Sequence, residues 1–368
     1  MNKDRKIRLV LTGGHAATTA LSVIEEIIRR SNLINWEIYW IGARSAIEGK
    51  KIPTLESTVF PKIGVVSYPI TAGKLQRKFT LWTIPSALKI PVGFFHALIL
   101  LLRIKPDIIL SFGGFAALPV VIVGFFLGIP VCIHEQTAGS GLANRISSPF
   151  AKKILLARYE SQVRFSPNKT LVVGNPIMTQ IAEIEPKEKP GNPPYLFIAG
   201  GSRGSQAMNN LIKEILPKLL RRFNIIHHTG YLDYQKCLEF KSHLSSSLKK
   251  KYEVYKVIDP LKIDDVYRIA DIVIARAGAN TVSEVIAVKR PAILIPLNDE
   301  QRQNARLAQI FGVATILEQD EIDAEGLHAA ILKLSENWYD IVDGVKNKQV
   351  YDKEASRKVI DILEKMLK

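Results

Sequence analysis

The sequence has few cysteines, no long apolar run and no pattern typical of a secretion signal. Its two cysteines, Cys132 and Cys237, are far apart and lack metal-ligand spacing, which predicts reduced thiols in a cytoplasmic protein. No stretch of about 18 uncharged apolar residues occurs, so a membrane-spanning helix is not expected. The first residues lead directly into a predicted strand at residues 7–11, so no signal peptide is expected either.

Acidic residues are scarce in the first half of the chain. Residues 1–175 hold 22 Lys and Arg against 9 Asp and Glu, a net charge of +13, whereas residues 176–368 carry only +2. Such a basic excess suggests contact with nucleic acid or with an anionic membrane surface. No helix-turn-helix pattern and no aromatic-studded platform for single strands accompanies the charge, so we do not predict nucleic-acid binding.

The alternation of short apolar runs with helical patterns predicts an α/β protein with parallel sheets. At 368 residues, with 47% hydrophobic and 23% charged residues, the chain is long enough for two globular domains. The Pro-rich, charged segment 181–194 predicts the boundary between them. We therefore expect domains at 1–180 and 181–349, with the amphipathic C-terminal helix, about 350–368, packing back on the first.

Glycine-containing turns follow several predicted strands, and one of them is followed by an acidic residue. In open α/β sheets such turns meet at the carboxyl edge, where helix N-termini bind phosphate. The strand at 271–275, the turn at 276–279, the helix at 281–289 and the strand at 291–296 form one such unit. Glu284 lies one turn into its helix and can accept two hydrogen bonds from a ribose diol. This unit predicts a nucleotide site; a plain βαβ unit with a solvated glutamate is the alternative.

Two further segments carry candidate functions. The polar loop 135–145 follows a predicted strand at 129–134 and brings a carboxylate, an amide and a histidine to the same edge, although we interpret His134 as a core histidine. Nearer the N-terminus, short strands are predicted at residues 58–60 and 64–69. The stretch 73–105 sets basic residues before aromatic ones, which fits an interfacial membrane element. Part of 94–102 is expected to be core, and a solvated basic loop is the alternative. The predicted membrane residues are Lys74, Arg77, Lys78, Phe79, Leu81 and Trp82.

In their order and spacing, these motifs resemble the MurG family over nearly the whole chain. The motifs that carry the resemblance are Thr12-Gly13-Gly14-His15, Gly73-Lys74, Gly113-Gly114-Phe115, His134-Glu135-Gln136, Gly141-Leu142-Ala143-Asn144, Gly174-Asn175-Pro176, Gly200-Gly201-Ser202, Asn209, Thr281-Val282-Ser283-Glu284, and Gln301 with Asn304-Ala305. The resemblance implies the GT-B architecture, two Rossmann-like domains that face a central cleft. It also implies an inverting hexosyltransferase that moves GlcNAc from UDP-GlcNAc to the C4 hydroxyl of MurNAc in lipid I, which gives lipid II for peptidoglycan.

The resemblance also implies a role for individual residues. As a separate hypothesis about the mechanism, the transfer needs a general base: His15 is the first candidate, because an imidazole suits proton transfer near neutral pH, and Glu135 is the second. The implied donor residues are Ser202, Asn209, Arg276, Glu284, Glu300 and Gln301, with the uracil near Pro260-Leu261. The implied acceptor residues are Thr12, Gly13, Gly14, Gly113, Gly114, Phe115, Gln136 and Asn144. The implied partners are UDP-GlcNAc, lipid I, the anionic inner-membrane surface and proteins of cell-wall synthesis, at the cytoplasmic face of the membrane.

Several residues depart from the family pattern, most of them on the acceptor side. The first glycine loop is shortened, and Thr18, Phe115, Thr137 and Met178 replace a usual Pro, Tyr, Asn and Arg, while Arg203 follows Gly200-Gly201-Ser202. No Asp-x-Asp motif occurs, so no tightly held metal or other cofactor is predicted, although Mg²⁺ can still assist. The alternatives are a GT-B transferase with another lipid acceptor, and a UDP-GlcNAc 2-epimerase, against which the membrane stretch argues.

Overall fold

The part of the chain that the structure describes divides into two units, each with its own sheet. The structure, a computed structural model, describes residues 6–14, 16–32, 34–43, 54–71, 83–201 and 204–368, and only the backbone of 83–88. One unit comprises Met1–Thr179 with Tyr351–Lys368, and the other comprises Gln180–Val350. Each contains one parallel sheet with helices, which confirms the predicted α/β class with two Rossmann-like domains.

The first unit is built on a parallel sheet with the order β3-β2-β1-β4-β5-β6-β7. The order reverses between β1 and β4, and such a reversal is the point at which open α/β sheets bind ligands. Strands β1, β4 and β5 are almost entirely buried, as expected where helices cover both faces of a sheet. The strands are β1 (Ile7–Gly13), β2 (Trp36–Ala43), β3 (Val66–Ile70), β4 (Ile108–Ser111), β5 (Val131–Glu135), β6 (Lys153–Leu156) and β7 (Thr170–Val172).

The helices of the first unit include the last helix of the chain. They are α1 (Ala17–Arg29), α2 (Leu55–Val59), α3 (Thr83–Ile104), α4 (Ala117–Phe126), α5 (Leu142–Ser147) and α15 (Ala355–Met366), while α6 (Thr179–Ala182) lies at the boundary of the units. Helix α15 packs on α1, where Arg30 Nη1 lies 2.6 Å from Asp361 Oδ1. Helix α3 buries Ala97, Leu101 and Ile104, so that part of 94–102 is core as expected. In the described residues, no helix combines the length and the apolar character needed to span a bilayer.

The strand predicted at residues 58–60 is wrong, because this segment is helical. Helix α2 begins after Thr54, whose hydroxyl caps it by accepting the N–H of Ser57 at 3.1 Å, and a 3-10 helix at Phe60–Ile63 follows. The N-cap contact supplies a partner for a backbone donor that a helix start otherwise leaves open. The second predicted strand exists and spans Val66–Ile70.

The second unit repeats the strand order of the first. Its sheet is ordered β10-β9-β8-β11-β12-β13 and reverses between β8 and β11. The strands are β8 (Tyr195–Ala199), β9 (Asn224–His228), β10 (Tyr252–Tyr255), β11 (Ile272–Ala275), β12 (Ala292–Leu294) and β13 (Ala314–Ile316). The helices are α7 (Gln206–Leu219), α8 (Tyr234–Ser242), α9 (Ser246–Lys249), α10 (Ile263–Ile269), α11 (Ala279–Val288), α12 (Asp299–Phe311), α13 (Ala324–Glu336) and α14 (Trp338–Val345).

The segment predicted as a linker is tied to the second unit through one buried carboxylate. Lys187 Nζ lies 2.6 Å from Asp271 Oδ1, and the backbone N–H groups of Gly191 and Tyr195 donate to Asp271 Oδ2 at 3.1 and 2.8 Å. Asp271 has no exposed surface and stands directly before β11. Much of 187–195 is therefore anchored against the sheet.

Candidate functional sites at the two switch points

Two glycine turns meet at the switch point of the first sheet, which is the place between β1 and β4 where the strand order reverses. The N–H of Gly14, after β1, donates to the carbonyl of Gly113, after β4, at 2.9 Å. Gly113 and Gly114 adopt φ values of +78° and +86°. A Cβ at Gly114 would lie 2.8 Å from the nitrogen of Gly14, and one at Gly113 would lie 2.5 Å from Asn144 Oδ1. Only glycine permits this conformation and this close approach.

The carboxylate of Glu135 organises the loop that follows β5. Its Oε1 accepts the N–H and the hydroxyl of Thr137 at 3.0 and 2.8 Å, and its Oε2 accepts Gly141 N–H and Asn144 Nδ2, both at 2.9 Å. An ionised carboxylate offers about four lone-pair sites, so these donors satisfy it. Glu135 is only 3% exposed. The geometry gives it a role in holding the 136–144 loop.

The predicted acceptor residues collect around this loop and the glycine turns. Asn144 is buried, and since its Nδ2 donates to Glu135 Oε2 its Oδ1 faces Gly113 without a hydrogen-bond partner. Thr12 is fully buried at the end of β1, and its hydroxyl also has no partner. Phe115 and Gln136 are half-buried in the adjoining loops. The structure thus brings the acceptor candidates among its described residues to one edge of the first sheet.

His134 is a core residue, as the sequence indicated. It is fully buried on β5, and its Nε2 lies 3.0 Å from the carbonyl of Gly174. Burial lowers the pKa of His134 to about 4, so the ring is neutral near pH 7. Because a carbonyl only accepts, Nε2 carries the proton, which leaves Nδ1 as a buried acceptor without a partner.

Eight predicted site residues lie outside the described residues, and these predictions remain untested. They are His15, Ser202 and the membrane residues Lys74, Arg77, Lys78, Phe79, Leu81 and Trp82.

The switch point of the second sheet also joins two turns, here through a side chain. Gly200, Gly201 and Gly204 follow β8, and a Cβ at Gly204 would lie 2.4 Å from the carbonyl of Thr229. Ser205 caps α7, and its Oγ accepts Arg276 Nε at 2.9 Å and Arg276 Nη2 at 2.5 Å. Because Arg276 directly follows β11, its guanidinium links the β8 turn to the β11 turn.

Glu284 lies in α11, whose N-cap residue is Gly278. Its Oε2 accepts the hydroxyl of Tyr267 at 2.9 Å. Burial raises the pKa of Glu284 to about 7, although the Tyr267 hydroxyl acts in the opposite direction. The N-cap residue Gly278 makes no side-chain hydrogen bond to the first N–H groups of α11, an arrangement that favours an anion, and the carboxylate of Glu284 lies in the same helix.

The remaining donor candidates differ in how they are held. Asn209 is buried; its Nδ2 donates to Thr229 O and Asp233 Oδ2, and its Oδ1 faces His227 Nε2, so it ties α7 to β9 and the loop that follows β9. Gln301 Oε1 accepts the N–H of Leu297 at 3.1 Å, at the start of α12, and Glu300 is exposed in the same first turn. Glu300 and Gln301 therefore stand at the edge after β12.

Two residues with a structural link to these sites were not singled out from the sequence. Gln319 Oε1 accepts a hydrogen bond from Arg276 Nη2. Asp352, near the C-terminus, accepts Arg158 Nη1 and Nη2 at 2.8 and 2.7 Å and the N–H of Asn175 at 2.9 Å. No local pattern marks either residue, because their partners lie at least 43 positions away. In the described part of the chain no group of three or more His, Cys, Asp or Glu has the arrangement to hold a metal ion.

Comparison with known proteins identifies the family. Residues 12–156 match the N-terminal domain of glycosyltransferase family 28, and residues 195–358 match its C-terminal domain. The UDP-N-acetylglucosamine–N-acetylmuramyl-(pentapeptide) pyrophosphoryl-undecaprenol N-acetylglucosamine transferase of Clostridium botulinum (strain Kyoto / Type A2) is 32% identical, over 90% of this chain and 91% of its own. The transferase of the same name from Geobacillus thermodenitrificans is 33% identical, with the same coverage.

A solved structure shares the fold over almost the full length. The crystal structure of MurG from Acinetobacter baumannii covers 98% of this chain and 100% of its own, with a TM-score of 0.67 and 24% identity. The confirmed fold, the two matched domains and the relatives above 30% identity together show that the chain belongs to glycosyltransferase family 28 and, within it, to the MurG family.

Proposed function

We propose that this enzyme transfers GlcNAc from UDP-GlcNAc to the C4 hydroxyl of MurNAc in lipid I, a polyprenyl-diphospho-MurNAc-peptide, and so forms lipid II. Two observations together carry the proposal: likeness over 90% of the chain to N-acetylglucosamine transferases of the MurG family, and a nucleotide-type site in the second unit. That site combines glycine turns, an uncapped helix N-terminus and Glu284.

The second unit would bind the donor. The turn around Ser202 and the N-termini of α7 and α11 would hold the diphosphate, with Arg276 beside it. Glu284 would accept hydrogen bonds from the ribose diol, which needs the ionised carboxylate. The uracil would lie near Pro260-Leu261. Glu300 and Gln301 would contact hydroxyl groups of GlcNAc.

The first unit would bind the acceptor at Gly13, Gly14 and the 113–115 turn. In the reaction, the C4 oxygen of MurNAc attacks C1 of GlcNAc as the bond from C1 to the diphosphate oxygen breaks, so UDP leaves and the α linkage becomes β. The proton of the C4 hydroxyl passes to a general base. His15 is the first candidate; the four donors around Glu135 favour a role in positioning Asn144 over proton transfer. His15→Ala losing less than about tenfold in kcat would count against His15 as base, since such catalysis contributes about 10²–10⁴-fold.

An apolar row on the first unit supports docking on the cytoplasmic face of the membrane. Val92, Phe95, Ile99 and Leu102 follow one another at helical spacing along α3, and each is between 43% and 62% exposed. Phe125, Phe126 and Leu127, where α4 ends, are also exposed, and α4 packs against α3. Arg103, Lys105, Arg145 and Lys152 are exposed basic residues in the same unit. Exposed apolar residues in a strongly basic unit suit an anionic bilayer surface.

Transfer of labelled GlcNAc from UDP-GlcNAc to purified lipid I tests the proposal. We expect labelled lipid II from the wild type and none without lipid. Glu284→Ala should lower kcat/KM for the donor by about 100-fold or more, because two charge-assisted hydrogen bonds are lost. Glu325→Gln, an exposed acidic site in the same unit, is the control.

The same assay examines the alternative acceptor. UDP-GlcNAc binding without turnover of lipid I would contradict the proposed acceptor and favour a different lipid. The departures at Phe115, Thr137 and Met178 are the observation behind that alternative, and Met178 is buried.

A further inference from the structure

Arg276 joins the ends of neighbouring strands in the second unit. Besides its two bonds to Ser205 Oγ, its Nη1 donates to the carbonyl of Ile295, after β12, at 2.9 Å. Its Nη2 also donates to Oε1 of Gln319, which follows β13. A guanidinium has five N–H donors, and these contacts use all but one of them. The loops after β8, β11, β12 and β13 are thus fixed to one cation.

The charge of Arg276 lacks a carboxylate among its described contacts. All of its described partners are neutral oxygen atoms. Burial lowers the pKa of Arg276, which reflects the cost of keeping the cation away from water. Its partner Ser205 caps α7, so the guanidinium lies beside the N-terminus of that helix, where N–H groups and the positive end of the dipole already favour an anion.

The loop that carries Gln319 is anchored on its N-terminal side. The N–H of Leu317 donates to the carbonyl of Leu294 at 3.0 Å. Glu318 accepts Arg302 Nε and Nη2, both at 2.9 Å. Gln319 therefore meets Arg276 from a fixed loop. Its neutral carboxamide orients the guanidinium without cancelling its charge, whereas a carboxylate at the same place would pair with it.

We propose that Gln319 is a positioning residue of the donor site, which holds Arg276 against Ser205 so that its charge serves a nucleoside diphosphate. This inference rests on the donor function proposed above, and it adds a residue with no direct contact to the ligand. It predicts that the identity of residue 319 affects recognition of the phosphates and leaves recognition of the nucleoside unchanged.

Binding of UDP and of uridine to Gln319→Glu tests this inference without any lipid. We expect the Kd for UDP to rise about tenfold, because the new carboxylate neutralises Arg276, and the Kd for uridine to stay within about twofold. Gln319→Ala leaves the charge of Arg276 unpaired with a carboxylate but no longer orients its guanidinium, and should weaken UDP binding by about threefold. Gln309→Glu, on the exposed surface of α12, makes the same charge change in the same unit and serves as the control.

Each outcome decides the inference. A selective loss of UDP affinity in Gln319→Glu supports it, even if lipid I is not a substrate. If Gln319→Glu binds UDP as tightly as the control Gln309→Glu does, the inference is overturned. Equal weakening of UDP and uridine, with a Tm below that of the control, assigns a structural role and also overturns it. A wild type that binds neither UDP nor uridine refutes the donor site itself, and the inference with it.

Discussion

The two units share a strand order but join the turns at their switch points by different means. In the first unit, backbone meets backbone, through the Gly14 N–H and the Gly113 carbonyl. In the second unit, the guanidinium of Arg276 joins the β8 and β11 turns through Ser205. One topology therefore provides a tightly packed glycine contact in one unit and a cationic site in the other. The chemistry of each site comes from its turn residues, and the topology only brings them together.

The two candidate carboxylates differ in the same way. Glu135 receives four hydrogen bonds and is committed to its own loop. Glu284 receives one described hydrogen bond, from Tyr267, and its pKa is raised to about 7 by burial. A satisfied carboxylate orders the protein, whereas one with spare acceptor capacity is available to a ligand.

The largest expected effect concerns Asp352, which ties the C-terminal segment to the first unit. Asp352→Ala should lower the free energy of unfolding by about 3–5 kcal/mol, because it removes the carboxylate that accepts two hydrogen bonds from the largely buried guanidinium of Arg158. Their side chains are 5% and 14% exposed. Denaturant unfolding measures the effect. Asp343→Ala breaks an exposed pair with Lys346 and should cost less than about 1 kcal/mol. Equal losses of unfolding free energy in the two variants would mean that the buried pair of Asp352 and Arg158 stabilises the protein no more than an exposed pair does.

Gly113→Ala tests whether the close packing of the glycine turns is needed on the acceptor side of the first unit. Its φ of +78° makes a side chain unfavourable, and the new Cβ would lie 2.5 Å from Asn144 Oδ1. Gly128→Ala has a similar φ, +72°, but open space around it. Both should therefore lose about 1–2 kcal/mol of stability from strain. Only Gly113→Ala should lose a further 1–3 kcal/mol or so from crowding, with weaker lipid I turnover. If the two variants lost the same stability, crowding against Asn144 would not contribute to the effect of Gly113→Ala.

Donor binding should depend on pH through Glu284 in the second unit. The ionised carboxylate accepts hydrogen bonds from the ribose, so protonation weakens binding as pH falls below the raised pKa of about 7. Between pH 8 and pH 6 the Kd for uridine, which has the ribose but no phosphate that titrates, should rise about tenfold, as expected for one titrating group. Glu284→Gln should remove this dependence in calorimetric titrations. A variant with an unchanged pH profile would assign the titration to another group.

The smallest effect is expected at the apolar row on α3. Phe95→Ser removes a ring that is 62% exposed, and should weaken binding to vesicles with anionic lipid by about fivefold, since partial burial of one aromatic side chain contributes roughly 1 kcal/mol. Ile310→Ser, 80% exposed in the second unit, is the control and should bind as the wild type does. Vesicle co-sedimentation measures both. Equal weakening would mean that membrane contact is not confined to the first unit.

Elements with strong local signals could be predicted from the sequence. The strand at 272–275 and the helix at 279–288 were recognisable because a short apolar run, a glycine turn and a helical pattern follow in order. Residues 58–60 were misread because β-branched and aromatic residues favour strands, whereas the hydroxyl of Thr54 starts a helix there. The charged pattern over 234–250 predicts one helix, whereas the structure has two, Tyr234–Ser242 and Ser246–Lys249.

The sequence by itself determined the family, the two parallel sheets and the glycine turns at their edges, because these depend on residues close together in the chain. Only the tertiary structure decided which groups are free to act. Glu135 and Glu284 look alike in sequence, but one is saturated by Thr137, Gly141 and Asn144 while the other keeps acceptor capacity. Gln319 and Asp352 gained their roles through partners 43 and 194 positions away. Hydrogen bonding and burial depend on what folding places nearby, and no local pattern encodes such distant neighbours.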